Sequence, residues 1–200
     1  MGLTILWASV SLAHDSLPMI RRLILHKVIE SKSVFKGHVF EAKVENIILP
    51  SGEEARREVV VHRGGASVLA IYQDNIVLVR QYRHAANNYV LEIPAGIIEV
   101  GETPQECATR ELREETGYTS TNIRKLLTMY KSVGYTTEKH HIYLAQNLTP
   151  GPQELDFGEE VDVVLMPIEK VIKKIFAEEI EDAKTVAGML AYRELMHRQA

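Results

Sequence analysis

Residues 96–118 constrain the fold of this chain more than any other stretch, because they carry the start and stop signals of one helix. Residues 103–106 read Thr-Pro-Gln-Glu, which combines a capping box with a proline in the first turn. Gly117 is suited to the left-handed conformation that ends a helix. The segment therefore predicts a helix over residues 104–116 and a sharp turn after it.

The last two turns of this predicted helix bring three carboxylates onto one face: Glu111, Glu114 and Glu115. At 100° per residue, Glu115 lies about 40° from Glu111, and Glu114 lies about 60° to the other side. Negative charge is already unfavourable at a helix C-terminus. A hard divalent cation with oxygen ligands, Mg²⁺ or Mn²⁺, relieves such crowding. The alternative is a solvated acidic face whose negative charge is partly neutralised by Arg110 and Arg113. Charge alone does not decide between a metal site and a solvated face.

Composition narrows the function classes. The chain has 200 residues, 46% of them hydrophobic and 25% charged, which is typical of one ordinary globular domain or two small ones. A net charge of −4 provides no basic field for nucleic acid. The single cysteine, Cys107, cannot form an internal disulfide, which favours a reducing compartment, the cytoplasm. No apolar stretch is long enough for a membrane-spanning helix, so no membrane partner is expected.

Hydrophobic runs bounded by turn residues predict eight strands, at 39–49, 57–62, 68–72, 76–82, 89–93, 123–130, 141–145 and 161–166. Two further helices are predicted at 168–176 and 183–197. Many strands with one central helix and terminal helices indicate an α+β fold. We expect three regions: an extension over 1–19 with no basic residue before Arg21, an N-terminal strand region over 20–62, and a main domain over 63–200.

The spacing of the polar residues around the helix is more specific than their charge. Gly96, five residues, Glu102, seven residues and then the run 110–117 (Arg-Glu-Leu-Arg-Glu-Glu-Thr-Gly) resemble the signature of the Nudix hydrolases at every fixed polar and glycine position. Tyr118 departs from it, because the family usually has an aliphatic residue there. The resemblance implies the Nudix fold, a mixed sheet sandwiched by helices, here with an N-terminal β-hairpin or small sheet.

The resemblance also implies a metal site. In the family, the carboxylates that match Glu111 and Glu115, often helped by Glu114, bind Mg²⁺, for which Mn²⁺ can substitute. The backbone carbonyl beside the box glycine, here that of Ala95, commonly adds a ligand, and Arg110 resembles the arginine that orients the glutamates. Such metals neutralise two adjacent phosphates and activate water.

Other stretches resemble the branch of ADP-ribose pyrophosphatases and related nucleoside diphosphate sugar hydrolases. They are residues 79–83, 92–99 and 159–164 and the N-terminal hairpin, which in that branch is exchanged between subunits of a homodimer. The branch usually has Ser-Pro-Gly where residues 132–134 read Ser-Val-Gly. The implied substrate contacts are Arg83, Arg80, Glu138 and Glu92. The implied catalytic base is Glu159, with Glu160 and Glu114 as alternatives.

The expected function is therefore Mg²⁺-dependent hydrolysis of a nucleoside diphosphate sugar, with ADP-ribose as the first substrate. The resemblance also implies a homodimer with exchanged N-terminal strands. GDP-mannose, UDP-sugars and flavin dinucleotide are alternative substrates. A non-catalytic nucleotide-sensing Nudix module would carry an added DNA-binding domain, and no sign of one is present in the sequence. A hydrolase of oxidised nucleoside triphosphates would usually lack the N-terminal hairpin region.

Overall fold

The computed structural model describes residues 26–198, so the predicted extension over 1–19 lies outside the described residues. The strands are β1 (Lys27–Lys36), β2 (Phe40–Ile48), β3 (Glu54–His62), β4 (Gly65–Tyr72), β5 (Asn75–Arg83), β6 (Asn88–Glu92), β7 (Ala95–Ile97), β8 (Thr119–Tyr130), β9 (Lys139–Thr149) and β10 (Val161–Pro167). The helices are α1 (Pro104–Thr116), α2 (Ile168–Phe176) and α3 (Ala183–His197). Within residues 26–198, none of the helices has the length and hydropathy needed to cross a membrane.

The first three strands form a separate antiparallel sheet in the order β1-β2-β3. This sheet joins the rest of the chain at Val60 of β3, whose amide donates to the carbonyl of Tyr135 at 2.7 Å. The carbonyl of Val60 accepts from the amide of Thr137 at 3.0 Å. Strand β1 is exposed along its whole length. The small sheet therefore has apolar surface that the rest of the described chain does not cover.

The main sheet has seven strands, in the order β10-β5-β4-β9-β8, with β6 added on β5 and β7 added on β4. Its neighbouring strands run antiparallel except β4 and β9, which are parallel. Gly65 pairs with both Ile97 of β7 and His140 of β9, so these three strands lie side by side at one edge of the core. That edge positions the candidate site.

Helices cover both faces of the main sheet. On one face α1 packs through Cys107, Ala108 and Leu112 against small and branched side chains of β4, β5 and β9. On the other face α2 and α3 pack against the alternate residues of the same strands, in a cluster of Leu69, Ile76, Leu78, Ile142, Leu144, Met166, Val171, Ile172, Met189 and Tyr192. Alternation along each strand sends successive side chains to opposite cores. The predicted mixed sheet between helices is confirmed.

The three helices have the bounds that the sequence predicts, whereas the strands differ. Strands β1 and β7 are not among the predicted strands. Strands β3, β4, β8 and β9 are longer than predicted. Strand β8 begins at Thr119, directly after the α1 stop, and Tyr118 packs on Tyr72 with ring centroids 4.9 Å apart. An aromatic residue is therefore accommodated where the Nudix signature usually has an aliphatic one.

Candidate active site

Helix α1 is fixed at both ends by local contacts. The amide of Glu106 donates to the Thr103 hydroxyl at 3.3 Å, and the Glu106 carboxylate accepts from the Thr103 amide at 2.8 Å. At the other end Gly117 has φ +73°, and a Cβ there would lie 2.2 Å from the carbonyl oxygen of Gly151. Only glycine satisfies both the conformation and the close approach. The helix is thereby held in register against the sheet.

Two of the three predicted carboxylates are buried against β7. The amide of Ala95 donates to Oε2 of Glu115 at 3.0 Å. A Cβ on Gly96 would lie 1.7 Å from Oε1 of Glu111, which explains the glycine at this position of the box. Glu114 is on the more exposed side of the helix. The structure therefore places Ala95, Glu111 and Glu115 next to one another, and the contact that Ala95 makes is through its amide.

Burial of these carboxylates leaves their negative charge poorly compensated. Burial raises the pKa of Glu115 to about 8, with the charges of Glu111 and Glu92 adding to the effect. Burial also raises the pKa of Glu111, although Arg110 opposes the shift. Carboxylate oxygens are ligands that Mg²⁺ and Mn²⁺ prefer. The donor set thus fits a hard divalent cation, whose charge would offset what the protein leaves uncompensated.

Arg110 bridges three of the acidic side chains. Its guanidinium donates to Glu102 at 2.8 and 3.1 Å, to Glu111 at 2.7 Å and to Glu114 at 2.9 Å. Because Arg110 draws Glu111 and Glu114 while Ala95 holds Glu115, no group of three acidic or histidine ligands converges on one point within residues 26–198. Each of the three carboxylates keeps an oxygen free of these bonds. Arg110 is placed where an orienting residue is expected.

Arg83 and Glu92 form one unit. Nε and Nη2 of Arg83 donate to the two oxygens of Glu92 at 2.7 and 3.0 Å. Lys184 of α3 donates to Glu92 and lies 3.0 Å from Asp182. Glu92 is 2% exposed at its side chain and both its oxygens are engaged, so the prediction that it contacts substrate itself is not supported by this geometry. Glu92 instead orients Arg83, whose side chain is 43% exposed beside Glu115.

Arg80 does not join the carboxylates. Successive side chains of β5 alternate, and Gln81 lies on the α1 face, where it donates to Glu115 at 3.5 Å. Arg80 lies on the opposite face, 4.1 Å above the ring of Tyr89 and 3.5 Å from Asp162. Its prediction as a second diphosphate contact is therefore not supported within the described chain.

The late acidic loop distinguishes its two adjacent glutamates. The Glu159 carboxylate accepts from the amide of Asp156 at 3.2 Å, which folds it back over the loop. Its charge adds to the raised pKa of Glu111, of which burial is the main cause. Gly158, with φ +87°, provides the turn that precedes it. Glu160 is exposed at the entry of β10. Both glutamates are exposed, and only Glu159 is bonded within the loop and contributes to the raised pKa of a box carboxylate.

Comparisons with known proteins agree with this geometry. The NUDIX domain profile matches residues 61–188. The chain belongs to the Nudix family. It is 39% identical over 172 residues to an ADP-ribose pyrophosphatase of Bacillus subtilis, covering 84% of this chain and 92% of that protein. It is 37% identical over 171 residues to a methanol dehydrogenase activator of Bacillus methanolicus, with shares of 84% and 92%. The solved structure of an ADP compounds hydrolase shares the fold, with a TM-score of 0.78, 23% identity and shares of 88% and 96%.

Two residues that support the site, Gln153 and Lys184, were not predicted from the sequence. Gln153 donates to the carbonyl of Glu115 at 2.7 Å and to that of Val161 at 3.2 Å, which ties the end of α1 to β10. Lys184 neutralises Glu92 from a helix 92 residues away in sequence. Neither residue lies in the box, and a lone glutamine or helical lysine carries no spacing signal.

The predicted substrate contact Glu138 lies beside Ala95 in a small recess.

The turn at residues 132–134 forms without the proline that the ADP-ribose branch usually has. The amides of Tyr135 and Thr136 donate to the carbonyl of Ser132 at 3.4 and 3.1 Å. Val133 is 80% exposed at the tip of the turn. The turn therefore forms its backbone hydrogen bonds with valine at position 133.

Proposed function

We propose that this Nudix chain hydrolyses the pyrophosphate bond of a nucleoside diphosphate sugar to a nucleoside monophosphate and a sugar phosphate, using Mg²⁺ or Mn²⁺. The observation that carries the proposal is the pair of buried carboxylates, Glu111 and Glu115, held against Ala95 and Gly96 of β7. ADP-ribose is the first substrate, because relatives in two species are named ADP-ribose pyrophosphatase. GDP-mannose is the nearest alternative, since relatives at 31% identity are named for it.

The metal, held by Glu111, Glu115, the Ala95 carbonyl and Glu114, would neutralise the diphosphate and activate the attacking water. Arg110 keeps Glu111 and Glu114 oriented through its short hydrogen bonds. Arg83 faces the same site with one edge of its guanidinium fixed by Glu92. A planar guanidinium fixed in this way offers its remaining donors to phosphate oxygens.

Glu159 is the proposed general base. A base must come within hydrogen-bond reach of the water whose proton it takes, and the charge of Glu159 is close enough to the box to contribute to the raised pKa of Glu111. Its loop contains a left-handed glycine and is exposed, so it can close over a bound substrate. Glu114 remains the second candidate, because it is already on the helix beside Arg110.

We also propose that residues 20–62 form the assembly region and residues 63–200 the catalytic domain of a homodimer. The small sheet exposes large apolar side chains on β1 and around the first hairpin, namely Val28, Ile29, Val34, Phe35, Val39 and Phe40. A groove of about 470 Å³ runs between this sheet and Tyr135, lined by Val34, Val44 and Val60 among others. Pairing of two such sheets across a two-fold axis would cover both features.

We also propose a cytoplasmic location. A buried Cys107 that forms no disulfide is compatible with a reducing compartment.

A panel of nucleotide substrates tests the activity. ADP-ribose, GDP-mannose, a UDP-sugar and flavin dinucleotide are each incubated with protein and Mg²⁺. The monophosphate products are then treated with phosphatase, and the inorganic phosphate released is measured. We expect hydrolysis of at least one nucleoside diphosphate sugar, and a decrease in kcat of at least about a hundredfold for Glu115→Gln, because a ligand loses its charge. Glu169→Gln, an exposed change on α2, is the matched control.

Two results would contradict the proposal. Full Mg²⁺-dependent activity of a folded Glu115→Gln protein would exclude the metal assignment. Tight binding of a nucleotide by the wild type without turnover of any member of the panel would instead favour a sensing module.

A further inference from the structure

A small recess opens beside β7, on the side where β9 and the start of α3 meet. Its volume is about 130 Å³, and its lining includes Ala95, Gly96, Lys131, Glu138, His140 and Lys184. Ala95 and Gly96 also border the carboxylates of α1. The recess and the carboxylates therefore share the backbone of β7 as a common wall.

His140 is the unusual residue of this recess. It is 4% exposed, and among residues 26–198 neither of its ring nitrogens has a hydrogen-bond partner. The glycine at position 65 admits the ring, because a Cβ there would lie 2.9 Å from both Nδ1 of His140 and the carbonyl oxygen of Gly96. Burial lowers the pKa of His140 to about 3, so the imidazole is neutral and offers one donor and one acceptor. Buried polar groups without partners are rare in folded proteins.

Lys131 and Glu138 face the same recess with opposite charges. They attract each other, but in the part of the chain that the structure describes no ion pair within 4.0 Å joins them. Lys184 is different, because its ammonium is already engaged by Glu92 and Asp182. The recess thus presents a free ammonium, a free carboxylate and a neutral imidazole.

This set of groups selects the chemistry of a ligand. A divalent cation would be repelled by Lys131 and Lys184, and a phosphate would be repelled by Glu138. A hydroxyl group accepts a hydrogen bond from an ammonium and donates one to a carboxylate, and it can do either with an imidazole. We propose that the recess binds the hydroxyl groups of the sugar on the far side of the diphosphate, and that His140 and Lys131 determine which sugar is accepted.

The inference rests on the proposed function, because it needs a nucleoside diphosphate sugar at the carboxylates. The recess has room for about one sugar ring and not for a nucleoside with its base. A substrate contains two sugars, however, and the ribose of the nucleoside also carries hydroxyls. The experiment must therefore vary the two sugars separately.

The test uses the full chain with Mg²⁺ and measures kcat/KM for three substrates. These are ADP-ribose, the methyl ester of ADP, which has no distal sugar, and ADP-ribose with a 2′-deoxy adenosine moiety. The variants are His140→Val and Lys131→Met. Their matched controls are His141→Val, on the opposite face of β9 beside Thr128, and Lys125→Met on exposed β8. Thermal unfolding of each variant establishes that it is folded.

We expect the preference for ADP-ribose over the methyl ester to fall about five- to tenfold in His140→Val and about ten- to a hundredfold in Lys131→Met. Both controls should keep the preference of the wild type. If kcat/KM falls equally for ADP-ribose and the methyl ester, the two residues are structural and the inference is overturned. If instead only the preference for the 2′-hydroxyl changes, the recess binds the nucleoside ribose and the distal assignment is wrong. If the wild type hydrolyses no nucleoside diphosphate sugar, the proposed function fails first.

Discussion

Glu115 makes the stability of the metal-free protein depend on pH. Its carboxyl group is buried, which raises its pKa to about 8 from an ordinary value of 4.5. The folded state therefore holds this proton more tightly than the unfolded chain does. By linkage, the free energy of unfolding decreases as the pH rises from about 4.5 to about 8 and is constant above that range.

The magnitude follows from the size of the shift. The full difference corresponds to about 5 kcal/mol at 1.36 kcal/mol for each unit of pKa. Movement of the carboxylate toward water reduces this ceiling, and we expect about 2–4 kcal/mol. For a chain of this size, that is about 5–15 °C in Tm. Glu115→Gln retains an oxygen for the Ala95 amide and removes the ionisation.

The assay is thermal unfolding in a metal chelator between pH 5 and pH 8.5. We expect the Tm of the wild type to fall relative to that of Glu115→Gln as the pH rises, whereas Glu169→Gln follows the wild type. Added Mg²⁺ should raise the Tm of the wild type at pH 8 and leave that of Glu115→Gln nearly unchanged. A constant difference between wild type and Glu115→Gln across this pH range would refute the reasoning, because it would show that Glu115 ionises as freely as in water.

The remaining predictions concern the loop, the diphosphate contact and the assembly. Glu159→Gln should lower kcat strongly with little change in KM, while Glu160→Gln is near neutral; loss of kcat in Glu160→Gln alone would reverse the assignment. Arg83→Ala should raise KM and lower kcat/KM. Arg83→Lys should not restore wild-type values, because an ammonium cannot bond both Glu92 oxygens and phosphate with fixed geometry. Steady-state kinetics equal to wild type for Arg83→Lys would exclude recognition of phosphate by two donors of one guanidinium. Light scattering should give twice the mass of one chain over a wide concentration range, and the mass of a single chain would reject the dimer.

Local chemistry explains what the sequence predicted well. The start and end of α1 depend on contacts within a few residues, such as the Thr103–Glu106 box and the left-handed Gly117, and both were read correctly. The alternation of β9 was also predictable: His140 is buried, whereas His141 bonds Thr128 on the other face. Patterns of this kind are contained in a short window of sequence.

What the sequence did not reveal depends on distant pairing. Strand β7 has only three residues, and its pairing with β4 is what brings Ala95 and Gly96 against α1. Glu92 was expected to meet substrate, but Lys184 and Arg83 enclose it from two other elements. Arg80 and Arg83 look alike in a sequence, and only the face of the strand separates them. Tertiary contacts, not composition, decide these cases.

Strand β7 connects the proposed catalytic site with the proposed sugar recess. Its residues Ala95 and Gly96 touch Glu115 and Glu111 on one side and line the recess of His140 on the other. A Cβ at position 65 would meet the Gly96 carbonyl and the His140 ring, and a Cβ at position 96 would meet the Glu111 carboxylate. In the proposed complex, the distal sugar of a diphosphate bound at the carboxylates lies beside His140 and Lys131. In this proposal the same backbone holds the metal and borders the sugar. A substitution in the recess that moves β7 would therefore change kcat for every substrate. A substitution that changes only hydrogen bonding in the recess would change the preference among sugars.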